Sequence, residues 1–166
     1  MKKIYLLFLV FIYIPLFGQV MEEFNDGEFS SNPVWHGDTA NFEVVNNQLR
    51  LNAPSQADTS CLVTSSNVLY NASGEFWIRL NFNPTNNNYA RFYLSSDVKD
   101  IKGNVFGYYL KIGGTEDELS LYRQEGSNHV EIIDGTDDLI DTSNVQIRLK
   151  VTRDSLAKWR INVDLT

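Results

Sequence analysis

The sequence predicts an all-β fold, an antiparallel sandwich in which strands with one apolar side pack over a shared core. Three observations predict it. Four segments between Gly74 and Gln124 alternate strictly between apolar and polar residues, the period of a strand with one buried side. Turn-forming clusters recur roughly every 8–12 residues, dividing the chain into about ten short strands. No stretch carries the spacing of an amphipathic helix.

The four alternating segments are EFWIRLNF, NYARFYLSS, GYYLKIGG and ELSLYRQ. Their apolar faces hold Phe76, Ile78, Leu80 and Phe82, then Ala90, Phe92 and Leu94, then Tyr108, Leu110 and Ile112, then Leu119 and Leu121. The opposite faces hold Trp77, Arg79 and Asn81, then Tyr89, Arg91 and Tyr93, then Tyr109 and Lys111, then Tyr122 and Gln124. A second face so rich in aromatic rings and arginine differs from ordinary solvated surface.

Around this centre the chain reads in order. Glu22 to Asp38 is a turn-rich entry anchored by Phe24, Phe29 and Trp35, with turns at Asn25-Asp26-Gly27 and His36-Gly37-Asp38. Asn41 to Val45 and Gln48 to Asn52 form a hairpin about Asn46-Asn47, because asparagine tolerates the left-handed backbone of tight turns. Ser60 to Thr64 is a short strand, and Ser65 to Ser73 a connection. Loops are expected at Asn83–Asn88, Ser96–Phe106 and Gly113–Asp117. His129 to Ile133, Val145 to Thr152 and Lys158 to Leu165 supply further strands, with a turn at Asp134–Asp138 and another over Arg153–Ala157.

At 166 residues the chain makes one domain at most. Met1-Lys2-Lys3 followed by the apolar run Ile4–Phe17 predicts a secretory signal-peptide helix over residues 1–18, shorter than the roughly 20 residues of a membrane span. Cleavage near Gly18 leaves residues 19–166 as the folded domain and predicts a secreted or cell-surface protein without stable membrane insertion. Removing Lys2 and Lys3 leaves 12 basic against 21 acidic residues, a net charge of −9. Such a surface repels phosphate backbones, so nucleic acid is excluded as a partner. Cys61, the single cysteine, has no internal disulfide partner and reads as a buried, inert thiol. The chain stops within its last alternating segment, which predicts a fragment lacking its final strands.

Several motifs together resemble a known family: Phe24-x-Asp26-Gly27, Trp35-x-Gly37-Asp38, Gln48-Leu49-x-Leu51-Asn52, Glu75-Phe76-Trp77, Asn88-Tyr89-Ala90-Arg91-x-Tyr93-Leu94, Gly107-Tyr108-x-x-Lys111-Ile112-Gly113-Gly114, Leu119-x-Leu121-Tyr122-Arg123-Gln124 and Val151-Thr152-Arg153-Asp154. They are similar to the N-terminal concanavalin A-like domain of large exported proteins from gliding Gram-negative bacteria, which often carry lamin-tail or immunoglobulin-like modules downstream. The resemblance spans roughly Glu22 to Leu165. It implies a jelly roll of two stacked sheets, with downstream modules of the same polypeptide as partners, and brings no catalytic residues with it.

Three readings of the aromatic face stay open. If the four central strands are neighbours, Trp77, Arg79, Tyr89, Arg91, Tyr93, Tyr109, Lys111 and Tyr122 share one surface. Sugar C–H faces pack on such rings while arginine and amides bind hydroxyls, so a glycan or polysaccharide is the expected ligand of a lectin-like module. The same pairs would also stabilise a bare sheet in a structural spacer, or the face would be covered by a neighbouring module. A glycosidase is disfavoured. No Glu-x-Asp-x-x-Glu strand occurs, and Glu131 and Asp134, three apart, are expected on opposite faces of a strand. No catalytic or metal residues are assigned, and no cofactor is expected. Two oxygen-rich loops, Asn25–Glu28 and Asp134–Asp138, are places where a secreted sandwich could hold calcium, but ordinary turn chemistry suffices for both. His36 and His129 lack zinc-ligand spacing.

Overall fold

The computed structural model describes residues 20–165; the expected signal peptide lies outside the described residues. The fold is all-β and antiparallel. Two sheets carry most of it: a three-stranded sheet in the order β11-β10-β5 and a four-stranded sheet in the order β6-β7-β8-β9. Their strands are β5 (Ala72–Leu80), β6 (Ala90–Ser96), β7 (Val105–Ile112), β8 (Leu119–Gly126), β9 (Asn128–Ile133), β10 (Val145–Arg153) and β11 (Trp159–Leu165). Before them, β1 (His36–Gly37) pairs with β4 (Leu62–Val63), and β2 (Phe42–Val45) with β3 (Gln48–Leu51). The only helical element among the described residues is a single 3-10 turn, Thr39–Asn41.

The alternation predicts the buried face closely. Leu80, Leu110, Ile112, Leu119, Leu121, Val145, Ile147, Leu149 and Val151 form one buried cluster drawn from both sheets. Phe76 of β5 stacks on Phe92 of β6 with ring centroids 3.9 Å apart, so the inner faces of the two sheets meet. Ile140, from the long connection before β10, is buried in the same cluster, and its amide is bonded to the Asp117 carbonyl. The hairpin forms where expected, with Asn46 and Asn47 both in the left-handed region, as a tight two-residue turn demands.

Three local expectations are corrected. His36-Gly37 is a strand rather than part of a turn. Gly37 has φ +131°, and a Cβ there would overlap the Cys61 carbonyl, so the glycine serves close backbone pairing. β5 begins at Ala72, not Glu75, because Ala72, Ser73 and Gly74 pair with Arg153, Thr152 and Val151. Arg153 ends β10 instead of opening a turn. It is buried, with its guanidinium 4.6 Å, 5.0 Å and 4.9 Å from the rings of Tyr70, Tyr108 and Trp159. Its alkyl stem and planar head pass for an apolar, stackable group at an inward position. Cys61 is half-buried next to β4, and burial together with the Asp38 carboxylate pushes its thiol pKa up. The thiolate is therefore disfavoured, as an inert cysteine requires.

Candidate functional site

The strand order divides the eight residues of the expected aromatic face. β5 belongs to the three-stranded sheet, so Trp77 and Arg79 lie on the outer side of that sheet, across the core from the others. There Trp77 faces Arg148 on β10, and Arg79 Nε donates to Asn144 Oδ1 at 3.3 Å. The premise that four consecutive alternating strands are neighbours fails at the β5–β6 connection, which crosses from one sheet to the other. The remaining six residues, Tyr89, Arg91, Tyr93, Tyr109, Lys111 and Tyr122, do share one face.

Registers set that face out in rows. Tyr93, Tyr109, Tyr122 and Glu131 stand side by side on β6, β7, β8 and β9. Tyr109 and Tyr122 are stacked at 5.3 Å with an interplanar angle of 8°, and Tyr93 leans on Tyr109 at 5.1 Å. The next row holds Arg91, Lys111 and Ser120. The Arg91 guanidinium lies 5.4 Å from the Tyr89 ring and 5.0 Å from the Tyr109 ring, and donates to the Tyr89 hydroxyl at 3.0 Å. Lys111 Nζ sits 5.3 Å from the Tyr89 ring and 6.0 Å from the Tyr122 ring. On the other side of the tyrosines, Gln124 accepts from the Tyr93 hydroxyl at 2.6 Å, and His129 Nδ1 lies 3.0 Å from the Tyr109 hydroxyl.

Tyr109 is the hub and is only 2% exposed. Tyr89, Tyr93, Lys111 and Tyr122 are half-buried, while Arg91, His129 and Glu131 are exposed. The salt bridges among the described residues are Arg50–Glu43, Lys102–Asp38, Arg123–Glu125 and Lys150–Glu75. Arg91 and Lys111 take part in none of them.

Burial raises the Tyr109 hydroxyl pKa from 10.0 to about 12, against the opposing pull of Arg91. Burial, and then the hydrogen bond from its hydroxyl to Glu131 at 2.7 Å, raises that of Tyr122 as well. Burial, and then Arg91, lowers the pKa of His129. For Tyr109 the folded pKa exceeds the unfolded one, so between about pH 10 and 12 the unfolded chain holds fewer protons and the native state loses stability as pH rises. Denaturant midpoints measured across that window should fall with pH in the parent and fall less steeply in Tyr109→Phe.

His129 and Glu131 join this face although neither was among the expected site residues; the alternation of β9 continues the rows begun by Gln124 and Tyr122. One carboxylate pair also differs from expectation. Glu131 and Asp134 are on one side after all, joined by Glu118, with one oxygen from each of the three within 4.8 Å of the others. The cause is a β-bulge. Leu121 pairs with Ile133 and Tyr122 with Glu131, so Ile132 is the extra residue, and it shifts the alternation by one. The other oxygen-rich loop, Asn25–Glu28, is a closed turn. Glu28 accepts from the hydroxyls of Ser30 and Ser31, and Asp26 accepts from the Glu28 amide.

A shallow cleft of about 260 Å³ opens beside the start of β6, lined by Asn41, Gln56, Asp58, Ser60 and Asn88 among others. No helix among the described residues is long and apolar enough to cross a membrane. Comparison with protein-family models, with curated proteins and with solved structures finds no match.

Proposed function

We propose that the chain is a secreted or cell-surface, non-catalytic, lectin-like module with a concanavalin A-like jelly-roll fold. Its glycan face is the outer side of the four-stranded sheet. One observation carries the reading: Arg91 and Lys111, in a chain with an acidic excess, are held over tyrosine rings with no carboxylate of the described residues within 4.0 Å. Arg91 spends one donor on Tyr89 and keeps others for a ligand. Tyrosine rings add C–H stacking surface, and Gln124 and His129 fix the hydroxyls that frame it.

A spacer without ligand is the second reading, favoured by the burial of Tyr109 and by the way the rings and cations already satisfy one another. The two separate on a glycan array probed with the purified chain beside an Arg91→Ala, Tyr93→Ala double variant. The binding reading expects selective glycan signals that drop tenfold or more in the variant, since a charged hydrogen bond is worth about 1.5–3 kcal/mol. A flat array from the folded parent establishes the spacer instead. Release of reducing sugar from any polysaccharide would contradict the non-catalytic assignment.

A further inference from the structure

Beside the tyrosine row, Glu118, Glu131 and Asp134 converge from the start of β8, from β9 and from the segment just after it. Glu118 is only 7% exposed. Its Oε1 accepts from the Ser120 hydroxyl, while its Oε2 is buried with no hydrogen-bond partner. That orphaned oxygen points toward the chain beside Asp134, 2.8 Å from where a Cβ of Gly135 would stand. A buried carboxylate oxygen without a partner is costly, and among the described residues no lysine or arginine forms a salt bridge to any of the three.

We propose that Glu118, Glu131 and Asp134 form a divalent-cation site whose natural occupant is calcium. The donor set is entirely carboxylate oxygen, which selects hard cations over zinc or copper. Coordination habit then favours calcium. Calcium accepts several carboxylate oxygens in a flexible geometry, whereas magnesium demands a near-ideal octahedron and keeps most of its waters. The three side chains come from three different segments with no symmetric arrangement. One Ca²⁺ against three carboxylates leaves a residual charge of −1, and solvent fills the remaining coordination positions. The Ile132 bulge is what turns Asp134 to the side of Glu131, so the irregular end of β9 acquires a purpose. The Tyr122 hydroxyl, donating to Glu131 Oε2 at 2.7 Å, orients that ligand from outside, as supporting hydrogen bonds do in metal sites.

The site stands whether or not the neighbouring face takes a glycan, and its test does not involve sugar. The EDTA-stripped full chain is titrated with terbium chloride while terbium emission sensitised by tyrosine is followed; calcium chloride is then added as competitor. Tyr122 lies close enough to act as antenna. Saturable emission is expected, displaced by calcium with a dissociation constant on the order of 0.1–1 mM. Asp134→Asn and Glu131→Gln, both at exposed positions, should each weaken calcium at least tenfold, while Glu116→Gln outside the trio should leave it unchanged. Glu118→Gln tests the buried ligand, and the two exposed variants keep the result decisive if that protein fails to fold. Absence of sensitised emission, emission that calcium does not displace, or parental calcium affinity in either exposed variant would overturn the site.

Discussion

Replacing Leu149 with alanine should lower the free energy of unfolding by about 2–5 kcal/mol, the range for removing a fully buried leucine and leaving a cavity. Leu149 is completely buried in β10, the middle strand of its sheet, opposite Phe76 on one side and Val163 on the other. Strands pair with β10 on both edges, so neither neighbour can close the gap without breaking register. Denaturant titration by circular dichroism gives the value. A loss below about 1 kcal/mol would place Leu149 outside the common core of the two sheets.

Gly107→Ala should cost at least the upper end of the about 1–3 kcal/mol typical of overpacking. Gly107 faces Ser96 next to the bulge at Tyr93/Ser95. A Cβ there would overlap the Ser95 carbonyl oxygen and press on the Ser96 Cα at 3.2 Å. These are backbone atoms that cannot rotate away, so β6 must lift from β7 or give up its bulge. Either response moves Tyr93 and breaks its hydrogen bond to Gln124, so stability and the tyrosine row suffer together. Gly103→Ala is the control. Nothing lies within 4 Å of its added methyl, and its effect should stay within about 0.5 kcal/mol.

The core was legible in the sequence because alternation is a local signal. Val145, Ile147, Leu149 and Val151 face inward as their spacing dictates, and the Asn46-Asn47 turn announces its own hairpin. The site was legible only strand by strand. Tyr93, Tyr109 and Tyr122 have the right parity, but parity does not say which strands are neighbours. The β5–β6 crossing that removes Trp77 and Arg79 is a property of long-range pairing. Bulges are hidden for a related reason. One extra residue, Ile132, reverses the face of everything after it, and Glu131 and Asp134 meet although strict alternation separates them. Arg153 shows a third limit: it stood at the expected opening of a turn, whereas stacking on Tyr70, Tyr108 and Trp159 buries it at the end of β10.

The proposed ligand surface is the outer side of the β6-β7-β8-β9 sheet, and not that of β5-β10-β11. An NMR titration of the aromatic ring resonances with the oligosaccharide that gives the strongest array signal decides between the two sheets. Saturable shifts are expected at Tyr89, Tyr93 and Tyr122, with Trp77 unmoved. Shifts centred on Trp77, or no shift in any of these tyrosines while sugar is bound, would rule that surface out.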